Sequence, residues 1–360
     1  MNESSEFRED YDCMLRRKLG LIVVGIAAVF LMLVLDVSLG ERHIGFAESM
    51  KCVIYGIIGV ERTPGTEEWM DYYVIWESRM PRVLGGIVAG TGLAVCGAAM
   101  QSMLKNPLVD PFITGISSSA VLGVIIAISI GLTTYGVAQY GVISLAFLCA
   151  LIPMSLVVMF SRSGRASPAT IILIGVAVSS IFGSMSTIIM VGLDESSLSQ
   201  AMLWQIGTLT KITWNSLPIM TAFTVLGTIF LVFTSDRLNI LTLGDRSAKS
   251  LGLDADNYRT MSMVVVSLMC AAIICFTGII GFLGLVIPHM VRLFIGSDNR
   301  FLIPVSAVMG AAFMVMCDCI SKMLGLTGIP VGAVLSALGG PMFLILILKS
   351  RKGVLKNDSV

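Results

Sequence analysis

The sequence predicts an all-α polytopic membrane protein with about ten transmembrane helices, and three observations carry that expectation. Hydrophobic residues fill 56% of the 360 positions and charged residues only 13%, against about 25% charged in soluble domains. The mean hydropathy is +0.90, more apolar surface than one aqueous core of this size could hide, so most of the chain is solvated by lipid. Ten mostly apolar segments, each near the ~20 residues that a bilayer core requires, run at about 20–38, 83–103, 113–131, 138–160, 170–192, 217–234, 260–280, 284–296, 303–322 and 330–349.

The segments justify themselves in order. The first 18 residues are polar and charged, and Leu21–Leu35 is an unbroken apolar run with no small-residue cleavage site after it, so it is expected to be a retained helix. Residues 1–19 then form a cytoplasmic tail, 20–349 one transmembrane domain and 350–360 a second tail. The eighth segment is short and carries Pro288, His289 and Arg292, which suits a half-helix or a re-entrant piece. Gly325, Gly328 and Pro330 mark a turn before the last span. Glycines cluster inside spans, as at Gly85, Gly86, Gly90, Gly92 and Gly97, where small residues let helices approach closely without a hydrophobic drive. The longest outer loop is 39–82 and the longest inner loop 235–259.

Charge sets the orientation. With the N-terminus inside and ten spans, 17 of the 24 Lys and Arg residues fall on the cytoplasmic side, so both termini are expected there. The net charge is +1 and no basic block stands out, so no nucleic-acid partner is expected. Of eight cysteines, six lie in or at the ends of apolar runs, Cys13 is in the tail and Cys52 in a polar stretch. They read as small buried hydrophobes rather than disulfides. Cys317 and Cys319 flank Asp318 but no second ligand pair follows, so no metal site is expected.

The spans hold few ionisable groups. Asp36, Asp318 and Lys322 sit near span ends, and only His289 and Arg292 lie within one. Ion-coupled transporters keep such groups near the midplane for function, and an intramembrane enzyme needs them clustered; neither pattern is present, so no catalytic residues are assigned. No phosphate-binding G-x-x-x-x-G-K-[ST] loop occurs, so any ATP is bound elsewhere. The inner loop at about 238–256 places Leu243, Gly244, Asp245, Ala248, Leu251 and Gly252 at near-helical spacing with glycine breaks. It reads either as a short amphipathic helix pair made for a partner or as a solvated connector. Two further stretches stand out, QSMLKNPLVDPFITGISSSA at 101–120 and TGIIGFLGLVIPHMVR at 277–292.

Together these stretches resemble the FecCD-type permeases, the type II ABC importers for iron–siderophores, haem and cobalamin. The resemblance covers about residues 76–349. It rests on Arg79-x-Pro81-Arg82, Gly97-x-x-x-Gln101, Asn106-Pro107-Leu108-x-x-Pro111, Leu243-Gly244 with Ala248 and Leu251-Gly252, Gly284 through Pro288-His289-x-x-Arg292, and Gly340-Pro341-x-Phe343. It implies ten helices in two inverted halves, working as a homodimer with two ATPase subunits that carry ATP and magnesium, and with a binding protein outside. It implies that Gly244–Gly252 forms the coupling helices, that Arg79, Arg82 and Lys322 face outward to dock the binding protein, and that Ala166–Thr170, with Ser167, Pro168 and Thr170, lies near the inner gate. An iron(III) chelate is the favoured substrate, with cobalamin or haem next. Ser119 stands where the family carries glycine. Pro288-His289 is expected to fix the start of a helix by hydrogen bonding.

Overall fold

The computed structural model describes residues 3–60, 63–134, 136–162, 167–324 and 329–357. Arg165, Ala166, Gly325 and Gly328 lie outside the described residues, and every regular element among the described ones is helical. Lipid cannot satisfy backbone N–H and C=O groups, so each segment must satisfy its own, and a helix does that within one strand of chain.

The chain opens with α1 (Glu3–Ser38), followed by α2 (Phe46–Ile58) and α3 (Glu67–Tyr73), and a π-helical turn at Val74–Arg79 leads into α4 (Met80–Met103). A 3-10 turn at Pro111–Thr114 precedes α5 (Ile116–Ser129), then come α6 (Gln139–Ala150), α7 (Ile152–Arg162), α8 (Pro168–Val191) and α9 (Glu195–Gln205). The second half holds α10 (Leu217–Phe233), α11 (Ser235–Thr242), α12 (Asp245–Ser250), α13 (Ala255–Thr277), α14 (Leu283–Ile295), α15 (Asn299–Met323) and α16 (Val331–Asn357).

All ten expected segments fall on helices. Among the described residues six helices are long and apolar enough to cross a bilayer, and α10 with α11, bent by 60° at Thr234, makes a seventh. The apolar helices α5, α14 and the first part of α16 are shorter. At ~1.5 Å per residue the 13 residues of α14 rise about 20 Å, short of the ~30 Å hydrocarbon core. Both tails are helical over their described residues, since α1 already starts at Glu3 and α16 runs on to Asn357. No proline or glycine interrupts the chain between Glu3 and Lys18, so nothing stops the first helix from extending outward. The loop at 39–82 is likewise structured, by α2, α3 and the π-helical turn.

Burial separates a central group from a peripheral one. The apolar windows of the α4, α13 and α15 segments are 78%, 72% and 61% buried, against 17%, 28% and 22% for α1, α6–α7 and α8. The helix α4 packs on α10, α13, α14 and α15. A Cβ on Gly97 would stand 1.8 Å from the carbonyl oxygen of Gly284, so α4 and α14 touch backbone to backbone, a contact open only to glycine.

Candidate functional site

Chemistry-bearing side chains gather at the two ends of the bundle, one of which also holds a knot at the close of α4. The knot is built from the residues that carry the family resemblance. Gln101 on α4 donates from its amide nitrogen toward the carbonyl oxygens of Val109 (3.3 Å), Leu285 (3.2 Å) and Gly284 (3.4 Å), and its Oε1 accepts from Arg292 at 2.9 Å. Asn106 caps the turn through its Oδ1, which accepts from the Leu108 N–H at 3.0 Å, with Pro107 between them. Pro111 starts the 3-10 turn and lies against Gly284, whose Cβ would meet the Pro111 ring at 2.7 Å. Gln101, Asn106, Pro107, Pro111, Gly284 and Arg292 are thus brought together as a joint that ties α4, the 104–115 link and α14. Ser119 fits where the family has glycine: buried, its hydroxyl donates to the Gly115 carbonyl at 2.9 Å.

His289 and Pro288 correct an expectation. Pro288 lies inside α14 rather than at its start. His289 is buried, and neither ring nitrogen has a hydrogen-bond partner among the described residues; its ring meets the edge of Phe343 at 6.5 Å. The start of α14 is set instead by Phe282, at φ 65°, whose carbonyl accepts from Val286 at 2.8 Å. Gly339 and Gly340 on α16 leave room for the Phe282 ring, and Pro341 follows inside that helix.

At one end lies the Asp245 loop. Gly244 (φ 108°) and Gly252 (φ 81°) break the chain around α12 as the spacing predicts. The Asp245 carboxylate accepts from Lys105 and from the fully buried Arg259, both at 2.7 Å. Burial pushes its pKa up, but these two cations and their hydrogen bonds outweigh that and hold it below the ordinary 3.8. Asn239 on α11 ties the loop to the bundle: its Nδ2 donates to Asp298 and its Oδ1 accepts from the Asn299 backbone and side chain, each at 2.8 Å. Burial raises the Asp298 carboxyl, but bonds from Arg300 and Asn239 pull it down to about 2. Leu238, Leu241 and Ala248 face inward and are fully buried, whereas Leu243 and Leu251 are 64% and 62% exposed. Ala248 is therefore a packing residue rather than part of an open coupling surface. Beside Leu251 a cleft of about 480 Å³ is lined by Arg237, Gly252, Asp254, Tyr258 and Met261.

The opposite end holds a buried charge network. Arg82 pairs with Asp318 through two guanidinium nitrogens at 2.7–3.1 Å. Lys322 bridges Asp36 on α1 and Asp318 on its own helix, and the Cys319 thiol donates to Asp36 at 3.2 Å. Arg79 donates to the carbonyls of Val37 and Arg42. Arg79 is 5% exposed, and the Lys322 and Asp318 side chains 5% and 1%. The expectation that Arg79, Arg82 and Lys322 face water is not met: Asp318 and Asp36 claim Arg82 and Lys322, and backbone carbonyls claim Arg79. Cys52 is buried as well, packed with Val37 and Ile75, and is no exposed thiol. Sequence reading placed Asp36 and Asp318 near span ends but could not pair them across 236 and 286 residues. The one signal was a charge at the end of each apolar run.

At the start of α8, the Ser167 hydroxyl accepts from the Thr170 N–H at 3.2 Å and Pro168 takes the first helical position.

The comparisons decide the family. The FecCD transport family matches residues 26–349. The chain belongs to the FecCD transport family. It is 35% identical over 282 residues to the hemin transport system permease of Yersinia pestis, covering 77% of this chain and 84% of that one. It is 32% identical over 302 residues to the vitamin B12 import system permease of Vibrio cholerae, covering 83% and 90%. A solved transporter assigned to the metal-chelate ABC type, in an inward-facing conformation, superposes with a TM-score of 0.78 at 25% identity over 92% of this chain and 99% of that one. The FecCD chain is thus an ABC importer permease and a multi-pass membrane protein.

Proposed function

We propose that this FecCD permease forms the pathway by which an iron(III) chelate of the siderophore type enters the cell, with ATP hydrolysed on a separate subunit. The observation that carries the energetic half is the Asp245 loop: a braced helix pair that leaves Leu243 and Leu251 in water beside an open cleft. Two exposed leucines on a rigid mount suit a protein partner, because burying each one there gains about 1.5–3 kcal/mol. The likeness to a metal-chelate transporter supports the substrate class. A second reading, cobalamin or haem, is favoured by the vitamin B12 and hemin relatives. In either reading the pathway is completed by a second copy, by two ATPase subunits at the Asp245 end and by a binding protein at the Arg82 end. The ten helical segments then form ten spans in two inverted halves with both termini cytoplasmic, and Ser167–Thr170 lies near the inner gate.

Reconstitution with the companion ATPase and binding protein tests the reading. ATP-dependent uptake of a radiolabelled ferric siderophore, with no uptake of cyanocobalamin or haemin, is the expected result; the converse selects the second reading, and uptake driven by an ion gradient alone rejects both. Sidedness is checked with Thr63→Cys and Ser250→Cys, because Cys52 is buried. An impermeant thiol reagent on intact cells should label the first and spare the second.

A further inference from the structure

A groove of about 800 Å³ runs between α4 and α10 at the Arg82 end of the bundle. Leu84 and Val88 line it from α4, Thr221, Ala222 and Val225 from α10, and Trp214 stands at one end. Three other positions on α10 are already engaged. Thr224 packs at Gly92 of α4, Gly227 at Met269 of α13, and the Phe223 ring lies 5.9 Å from Phe147 of α6. The stripe through Ala222 and Val225 has no such partner, and it lies on helices that cross the membrane.

The depth of the groove fits one leaflet. From Leu217 to Leu226 the helix rises about 14 Å at ~1.5 Å per residue, half of a ~30 Å hydrocarbon core. Its end is marked by a tryptophan pair: the rings of Trp214 and Trp76 are 4.9 Å apart, and the Trp214 indole N–H donates to the Trp76 carbonyl at 2.8 Å. That indole is satisfied, so its ring presents an apolar wall.

The tryptophan pair also touches α2. Gly56 sits directly on Trp76, where a Cβ would fall 2.1 Å from the ring. At 100° per residue α2 has three faces rather than two. Ser49 and Cys52 are buried against the bundle, Glu48 and Lys51 form a polar edge, and Phe46, Ile54 and Ile57 make an apolar stripe that is 56%, 53% and 71% exposed. A helix with a protein side, a water side and an open apolar side belongs at a membrane surface. Six of the eleven Trp and Tyr residues, Tyr55, Trp69, Tyr72, Tyr73, Trp76 and Trp214, lie on this cap or beside it, and such rings settle at headgroup level.

We propose that the α4–α10 groove is a lipid site holding one acyl chain of a phospholipid from the leaflet at the Arg82 end, with α2 lying in the headgroup layer of that leaflet. Residues 39–79 carry seven acidic and four basic side chains, so the site selects its lipid by apolar fit and not by an anionic headgroup. The proposal is independent of the transported substrate.

Native mass spectrometry of the purified transporter complex, loaded with phosphatidylcholine or with phosphatidylglycerol, tests it. Ala222→Trp fills the groove, while Ile219→Trp, on a neighbouring half-exposed face, does not. The parent and Ile219→Trp should each retain one phospholipid per permease chain, equally with both lipids, and Ala222→Trp should lose it. Equal retention in Ala222→Trp overturns the site; dissociation of that variant into single permease chains overturns it in favour of a second copy as occupant. A measurement free of folding risk in the groove uses Trp69→Phe with Trp204→Phe, which keeps the Trp76–Trp214 pair. In vesicles of phosphatidylcholine brominated near the headgroup end of its acyl chains, emission should fall by more than half; unquenched emission overturns the proposal.

Discussion

The two ends of the bundle use the same kinds of side chain for opposite ends. At the Arg82 end, two acids and three bases turn inward and bind α1, α4 and α15 to one another. At the Asp245 end, Arg259 is buried but its partner Asp245 is 37% exposed, and two large leucines stand in water close by. One end is finished within the chain; the other is a stiff frame around an unfinished apolar patch. Position relative to the apolar runs was similar in both cases. What separates them is how deep the acids lie: the Asp36 and Asp318 side chains are 0% and 1% exposed, that of Asp245 37%.

The comparison breaks most visibly at Asp318. Removing a buried partner leaves the other charge uncompensated, at a cost of about 3–5 kcal/mol, so Asp318→Ala should lower the unfolding midpoint of the purified protein sharply. A loss under about 1 kcal/mol would mean that Arg82 finds water and that this end is open after all. Gln101→Leu is next. It strands the Arg292 guanidinium and three backbone carbonyls, each buried group left unsatisfied costing about 1–3 kcal/mol, and thermal unfolding should show a loss of that order. At the Asp245 end, Leu251→Asp should change stability by no more than about 0.5 kcal/mol and yet abolish ATP-driven uptake, whereas Ala248→Asp should already lose folded protein. Equal behaviour of these two variants would erase the distinction between exposed and packed loop residues.

The smallest effect is in acid. Asp245 has its folded pKa below the ordinary 3.8, so its contribution is complete above about pH 4 and is lost as the pH falls through the lower folded value. The acid limb of a stability profile should be shallower in Asp245→Asn than in the parent. An unchanged limb would show that Lys105 and Arg259 do not hold the carboxylate in solution.

Much of this was legible in the sequence, and the remainder fails for physical reasons. Apolar runs located every long helix because lipid enforces continuous apolarity along a span. Gly244 and Gly252 located the turns around α12 because their positive φ excludes most other residues. The exposure of Arg79 and Arg82 was misjudged because a span-end position is the same in one dimension whether the side chain turns to water or to a neighbouring helix. The π-helical turn at Val74–Arg79, which presents Trp76 to Gly56, leaves no mark in the pattern of apolar residues. The start of α14 was misassigned to Pro288 because Phe282 adopts a positive φ that sequence alone gives no reason to expect.

The bond between Asp36 and Lys322 also sets an order of events. The acid is made 286 residues before its cation, and at synthesis rates of ~5–20 residues per second it waits about 15–60 s. Through that interval the first helix has left the ribosome with an unmatched charge on it. Because Asp36 stands at the tip of the apolar run and not in its middle, it can rest among hydrated headgroups until Arg82, Asp318 and Lys322 have arrived. Helix α1 is thus one of the last to be fastened.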